Sequence, residues 1–162
     1  MEITRSSDGI ILSQCHYFLD LLKRANMVST KPLTSPMVTA SKLSKHSGDL
    51  LVDPSEYGCL VGALQNVTLT RPNISFSVNK VCQFLHVPTI VHCAIVKRVL
   101  RYLKFTLDRG LHFYSTSPLS LHAFFDANRI GCLDDRRSTD AYAMFLGHNL
   151  IAWSSKKQAM IA

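Results

Sequence analysis

The stretch "LHAFFDANRIGCLDDRRSTD", Leu121 to Asp140, holds the residue types best suited to chemistry in this chain. An apolar run ends on a single carboxylate, Asp126. A loop with an acidic pair, Asp134 and Asp135, and a basic pair, Arg136 and Arg137, follows it. An aspartate at the end of a core strand is a common position for a carboxylate that holds a catalytic divalent ion. The loop carboxylates read either as further metal ligands or as a solvated turn.

Two other groups could do chemistry. Cys82 and His86 stand four apart on a predicted helix, with His92 and Cys93 beyond them. Their spacing fits no common zinc pattern, and ordinary packing explains them. Lys97, Arg101 and Lys104 are spaced by four and three residues, so they share one helix face, and Arg98 flanks them. Such a stripe is either a solvated face or a contact surface for phosphates, which would carry no sequence specificity. Arg136, Arg137, Lys156 and Lys157 form a second basic group.

The elements that would position these residues are legible in outline. "EITRSSDGIILS" (2–13) predicts a hairpin turning at Asp8-Gly9. Ser13 is the expected cap of a helix over 14–27 whose apolar side is Tyr17, Phe18, Leu21 and Leu22. Residues 29–50 are rich in Ser, Thr and Pro with no apolar period, and read as an extended, solvated connector. Three helices follow: one capped by Asp53 with Leu60, Val61, Leu64 and Val67 on one side, one from Pro72 to about Leu85, and one from Pro88 to about Leu107. Strands are predicted over 110–115, 119–126, 141–147 and 150–155, with His148-Asn149 as a tight turn between the last two. The final three form an antiparallel meander without a helix after it. Its apolar face is therefore expected to be uncovered and the chain to be aggregation-prone.

Composition bounds the alternatives. Of 162 residues, 47% are hydrophobic and 18% charged, which excludes a disordered composition. The net charge of +7 suits a polyanionic partner. Five widely spaced cysteines without a C-x-x-C pair read as reduced thiols of an intracellular protein. No apolar run approaches a bilayer span, and "MEITRSSDG" is not a secretory signal, so neither a membrane nor secretion is expected.

Three long stretches carry a resemblance. "VGALQNVTLTRPNISFSVNKVCQFLHVPT" (61–89), "VKRVLRYLKFTLDRGL" (96–111) and "DDRRSTDAYAMFLGHNLIAWSSKKQ" (134–158) resemble the Pol polyprotein of copia-type LTR retrotransposons. "GIILSQCHYFLDLLKRANM" (9–27) and "KPLTSPM" (Lys31 to Met37) match its upstream part, so the similarity covers nearly the whole chain. The resemblance implies an α+β fold. Residues 1–50 would be the end of the reverse transcriptase region with its connector, 51–115 a helical connecting region, and 116–162 the first three strands of a truncated ribonuclease H-like domain.

The same resemblance bears on activity. The polymerase hairpin of Y-x-D-D type has no counterpart here. Where the family's ribonuclease H region reads S-D-A-D-W-A-G, this chain reads "FDANRIG", so Asp126 matches the first catalytic carboxylate while Asn128 and Arg129 replace the next acidic and the tryptophan positions. The family's next carboxylate follows K-K-Q, where this chain diverges into "AMIA". Cys93, Phe105, Asn66 and Asn73 also depart from residues usual in the family. Ribonuclease H chemistry uses two divalent ions about 4 Å apart, and one aspartate can neither neutralise nor space them. The expectation is an inactive Pol fragment with a vestigial metal ligand and no cofactor, where the family uses Mg²⁺ or Mn²⁺. RNA–DNA hybrid or other nucleic acid would be a nonspecific partner, with no small-molecule substrate, and the compartment would be cytoplasm or nucleus. Two alternatives are the ribonuclease H part of a longer active polyprotein, and a recruited binding protein that uses the basic residues.

Overall fold

The computed structural model describes residues 1–38, 43–128, 134–135 and 137–158. Among the described residues it is an α+β structure with two separate three-stranded antiparallel sheets and four α-helices, all of which fall between the second and third strands of the first sheet in sequence. In the first sheet, β1 (Glu2–Ser6) and β2 (Gly9–Ser13) form the predicted hairpin, turning at Ser7-Asp8, one residue before the predicted pair, and β3 (Leu111–Tyr114) adds to β2 from far along the chain. Gly9 permits this, because a Cβ there would collide with the Phe113 carbonyl of β3. Ser13 does not cap the first helix as expected, since it lies in β2. The Glu2 carboxylate takes that role: it accepts the His16 N–H at 3.0 Å and also pairs with the His16 ring.

The core is helical. It joins Phe18, Leu21 and Leu22 of α1 (Cys15–Arg24) to Leu60, Val61, Leu64 and Val67 of α2 (Ser55–Val67). Val78 and Val81 of α3 (Ser75–Cys82) and Val96, Val99, Leu100 and Leu103 of α4 (Ile90–Phe105) complete it. Each fully buried aliphatic side chain contributes about 1.5–3 kcal/mol before ordering entropy is set against it. Tyr57 is buried among them and donates its hydroxyl to the Val81 carbonyl at 2.7 Å, which ties α2 to the end of α3.

Helix boundaries follow local hydrogen bonding more closely than the apolar period. Asp53 Oδ1 accepts the Ser55 N–H at 2.8 Å, so it serves α2 much as expected. Pro72 opens a 3-10 turn (Pro72–Ile74) rather than an α-helix, and α3 stops at Cys82, short of Leu85. The third helix starts at Ile90, two residues after Pro88, because Thr89 and His92 form a reciprocal cap there. The His92 ring accepts the Thr89 N–H at 3.1 Å, lies fully buried and stacks on Phe84 with centroids 3.8 Å apart. The cap accounts for His92 without any metal.

Among the described residues, Arg71 is the one Lys or Arg that is buried. Only 3% exposed, it donates from Nη2 to the Thr106 carbonyl at the end of α4 and lies over the Phe18 ring of α1, 5.3 Å from its centroid. Burial lowers its pKa. Next to it, the hydroxyl of Thr70 donates to Gln14 Oε1 at 2.7 Å, so the segment after α2 grips the start of α1 as well.

The second sheet has the order β4 (Leu121–Asn128), β5 (Thr139–Leu146), β6 (Asn149–Lys157). The tight turn lies at Gly147-His148, one residue before the predicted pair. Gly147 carries the positive φ of 57°, and a Cβ there would strike the Pro118 carbonyl. The expectation of an uncovered sheet is corrected at one end. The α3 helix packs on β6, and the indole of Trp153 donates to the Thr68 carbonyl after α2 at 3.1 Å. The cover comes from an element some 80 residues earlier, which no local pattern reports. At the other end, among the described residues, β4 pairs only with β5, and Leu121, Phe124 and Phe125 are each more than 60% exposed.

Two measurements test this account. His92 is held neutral because burial pushes its pKa below the ordinary 6.5. The unfolded chain then binds more protons, so the contribution of His92 to stability is present above about pH 6.5 and is lost as pH falls toward the lower folded value. Chemical denaturation followed by Trp153 fluorescence should show stability falling from about pH 7.5 to about pH 5.5. His92→Gln, which keeps a cap acceptor but cannot titrate, should flatten that slope. Arg71→Ala should cost about 2–4 kcal/mol in the same assay, because it opens a cavity and removes the donor to Thr106. A loss below about 0.5 kcal/mol would place Arg71 outside the core's support.

Candidate metal carboxylate and basic surface

The pleat of β4 decides what Asp126 can share. Side chains alternate across a sheet, so Asp126 lies on one face with His122 and Phe124. The register sets it opposite Ala141, while Asp140 stands opposite Ala127 and faces the other side. Asp140 Oδ2 accepts instead from Gln158 at 2.7 Å. Asp126 is exposed.

The loop carboxylates are engaged elsewhere. Asp134 accepts the Ser44 hydroxyl at 2.5 Å and the Lys45 N–H at 2.9 Å, and these bonds together with nearby cations lower its pKa against a desolvation that would raise it. It tethers the connector to the second sheet. Asp135 pairs with Lys157 at 2.8 Å and with Arg137 at 3.6 Å. Asp134 and Asp135 thus hold contacts within the chain, while Asp134 stays exposed, as in the solvated loop the sequence suggests. Among the described residues no three His, Cys, Asp or Glu side chains gather into a possible metal site.

The basic stripe on α4 has a structural use as well. Arg101 Nε donates to the Lys31 carbonyl at 2.6 Å, and Lys104 Nζ donates to the carbonyls of Val28 and Thr30 at 2.5 and 2.7 Å. These two cations clip residues 28–31 along the helix through their backbone, while Val28, Ser29 and Lys31 stay exposed as expected of a solvated connector. The backbone joins in: the Leu33 N–H donates to the Arg101 carbonyl, and the Ile90 N–H to that of Asp49. Lys97 is exposed and Arg98 half-buried on the same helix. Both line a cavity of about 440 Å³ with Leu33, Val91 and Ile95. Lys156 is exposed at the end of β6, beside Trp153 and Ser155 in a cleft of about 290 Å³ against α2 and α3. Arg136 lies outside the described residues.

Sequence reasoning missed Asp134, Arg71 and Trp153 as organising residues. The signal available for Trp153 was its being the single tryptophan, in a strand of otherwise small and aliphatic residues. No helix among the described residues is long and apolar enough to cross a membrane.

No family model matches the chain, and no solved structure matches it. Curated sequences do. The chain is 49% identical over 158 residues to the retrovirus-related Pol polyproteins from transposons RE1 and RE2 of Arabidopsis thaliana, covering 98% of this chain and 11% of each relative. It is 41% identical over 162 residues to an uncharacterized mitochondrial protein of the same plant, of which it covers 67%. The chain thus spans about a tenth of the length of the Pol polyproteins it matches. With nearly every residue aligned at this identity, the chain belongs to the family of copia-type retrotransposon Pol polyproteins.

Proposed function

We propose that the chain is a section of Pol running from the end of the reverse transcriptase (1–50) through a helical connecting region (51–115) into the first three strands of a ribonuclease H-like domain (116–162), and that it has no catalysis of its own. The observation that carries this reading is the isolation of Asp126. Two-ion hydrolysis needs several carboxylates converging on paired Mg²⁺ or Mn²⁺ ions. Asp140 is on the opposite face, Asp134 is bound to the connector and Asp135 to Lys157. This donor set does not fit the two ions. A recombinant chain given an RNA–DNA hybrid with Mg²⁺ or Mn²⁺ should release no more product than its Asp126→Ala variant. Cleavage that disappears in the variant would overturn the reading in favour of the ribonuclease H portion of a longer active polyprotein.

Nucleic-acid affinity is the remaining function open to the chain, and it is weak and nonspecific in this reading. Four of the candidate cations, Arg101, Lys104, Arg137 and Lys157, hold backbone carbonyls or Asp135, which leaves Lys97, Arg98 and Lys156 as the better placed for phosphates. About three phosphate contacts predict that hybrid affinity falls roughly 30-fold between about 50 and about 200 mM salt. Lys97→Gln and Lys156→Gln should each lower the salt slope by about one unit. Lys104→Gln should instead leave the slope unchanged and cost about 1 kcal/mol of stability through the lost connector bonds. A flat salt response would remove the binding function.

A further inference from the structure

The segment that joins the two sheets carries the inference furthest. Residues 115–120 read "STSPLS", a run of serine, threonine and proline that by itself suits a flexible linker between two regions. Its hydrogen bonds describe something else.

The hairpin turns of both sheets take hold of its start. Tyr114 and Ser115 are neighbours in extended chain, so their peptide groups point to opposite sides. The Ser115 N–H donates to the Asp8 carbonyl in the β1–β2 turn at 2.7 Å, and the Ser115 hydroxyl donates to the same oxygen at 3.0 Å. The Tyr114 N–H points the other way and donates to Asn149 Oδ1 at 2.7 Å, while Asn149 Nδ2 donates to the Tyr114 carbonyl at 3.1 Å. A carboxamide carries an acceptor and a donor side by side, as a backbone residue does. Asn149 therefore pairs with Tyr114 as a residue of a neighbouring strand would, and it joins the first residue of β6 to the last of β3.

The same β5–β6 turn holds the rest of the segment. Ser117 Oγ accepts the His148 N–H at 2.8 Å and donates to the Leu146 carbonyl at 3.3 Å. The Ser120 carbonyl accepts the Gly147 N–H at 2.6 Å. Contact is so close that a Cβ on Gly147 would strike both Ser117 Oγ and the Pro118 carbonyl. The His148 ring meets the Tyr114 ring edge-on, with centroids 6.5 Å apart. Tyr114 and Ser115 are exposed, so each of these bonds competes with water and is weak alone. Their strength lies in being made together.

We propose that residues 114–120 form a locked joint, with Asn149 as the lock, so that the second sheet is carried with the first as one body. The bonds of the joint open as a unit. Trp153 on Thr68 and Asp134 on Lys45 hold the second sheet elsewhere, so it is attached at three separate places. On the domain reading proposed above, the joint keeps the start of the ribonuclease H-like region at a fixed distance from the end of the reverse transcriptase.

Amide hydrogen exchange on the 162-residue chain, read residue by residue with NMR, tests the joint whatever the hybrid-cleavage assay says of that domain reading. In the wild type the amides of Tyr114, Ser115, Gly147 and His148 should exchange at least about 100-fold more slowly than in an unstructured peptide. Asn149→Ala removes the acceptor of Tyr114 alone among these four amides, and Ser117→Ala that of His148 alone. Either variant should speed exchange at all four at least about tenfold, while Val99 and Leu100 in α4 keep their rates. Fast exchange of the four in the wild type would overturn the proposal. So would a response confined to the amide whose acceptor was removed. If α4 also loses protection in Asn149→Ala, that variant has unfolded, and Ser117→Ala together with the wild type decides the matter.

Discussion

The burial of Arg71 is the constraint around which the helical core is arranged. A guanidinium removed from water needs donors satisfied and a favourable surface against its face. Here the Thr106 carbonyl at the end of α4 accepts from Nη2 and the Phe18 ring of α1 lies against the guanidinium face, while Nε is left buried without an acceptor among the described residues. Those partners come from opposite ends of the helical region, so placing Arg71 brings α1, the end of α2 and α4 together. With α1 so placed, β2 next to it meets β3, which follows α4 directly. The first sheet is thus closed by the same event.

The excess of basic residues takes on a different meaning in this light. A net charge of +7 invites a polyanion, but Arg101, Lys104 and Lys157 are directed at backbone carbonyls and at Asp135. The connector has few apolar groups with which to pack, and carbonyl oxygens are what it can offer. Long cationic side chains on α4 reach them and hold the connector in place. Asp134 completes the arrangement from the second sheet by gripping Ser44 and Lys45. These four side chains therefore serve contacts within the chain.

The second sheet has two different ends. At β6, Trp153 and α3 anchor it to the helices through one indole hydrogen bond and a packed face. At β4, among the described residues, only β5 pairs with the strand, and Asp126 stands exposed on it. The pleat explains why it cannot join Asp140, since neighbouring positions along paired strands alternate between faces.

The sequence by itself determined the elements, the apolar sides of the helices and the family. Leu60, Val61, Leu64 and Val67 recur at helical spacing and are buried; the hairpin from Glu2 to Ser13 and the strands from Leu121 to Lys157 are local signals of the same kind. It also singled out Asp126 through the match of "FDANRIG" to a known motif. Other decisions were tertiary. That Glu2 and not Ser13 serves α1, that Arg101 and Lys104 hold the connector, and that Trp153 docks on Thr68 all join residues 14 to 85 positions apart. Periodicity and capping rules describe a chain's relation to its near neighbours, whereas hydrogen bonds between distant segments depend on how the core packs, and only the folded structure decides that.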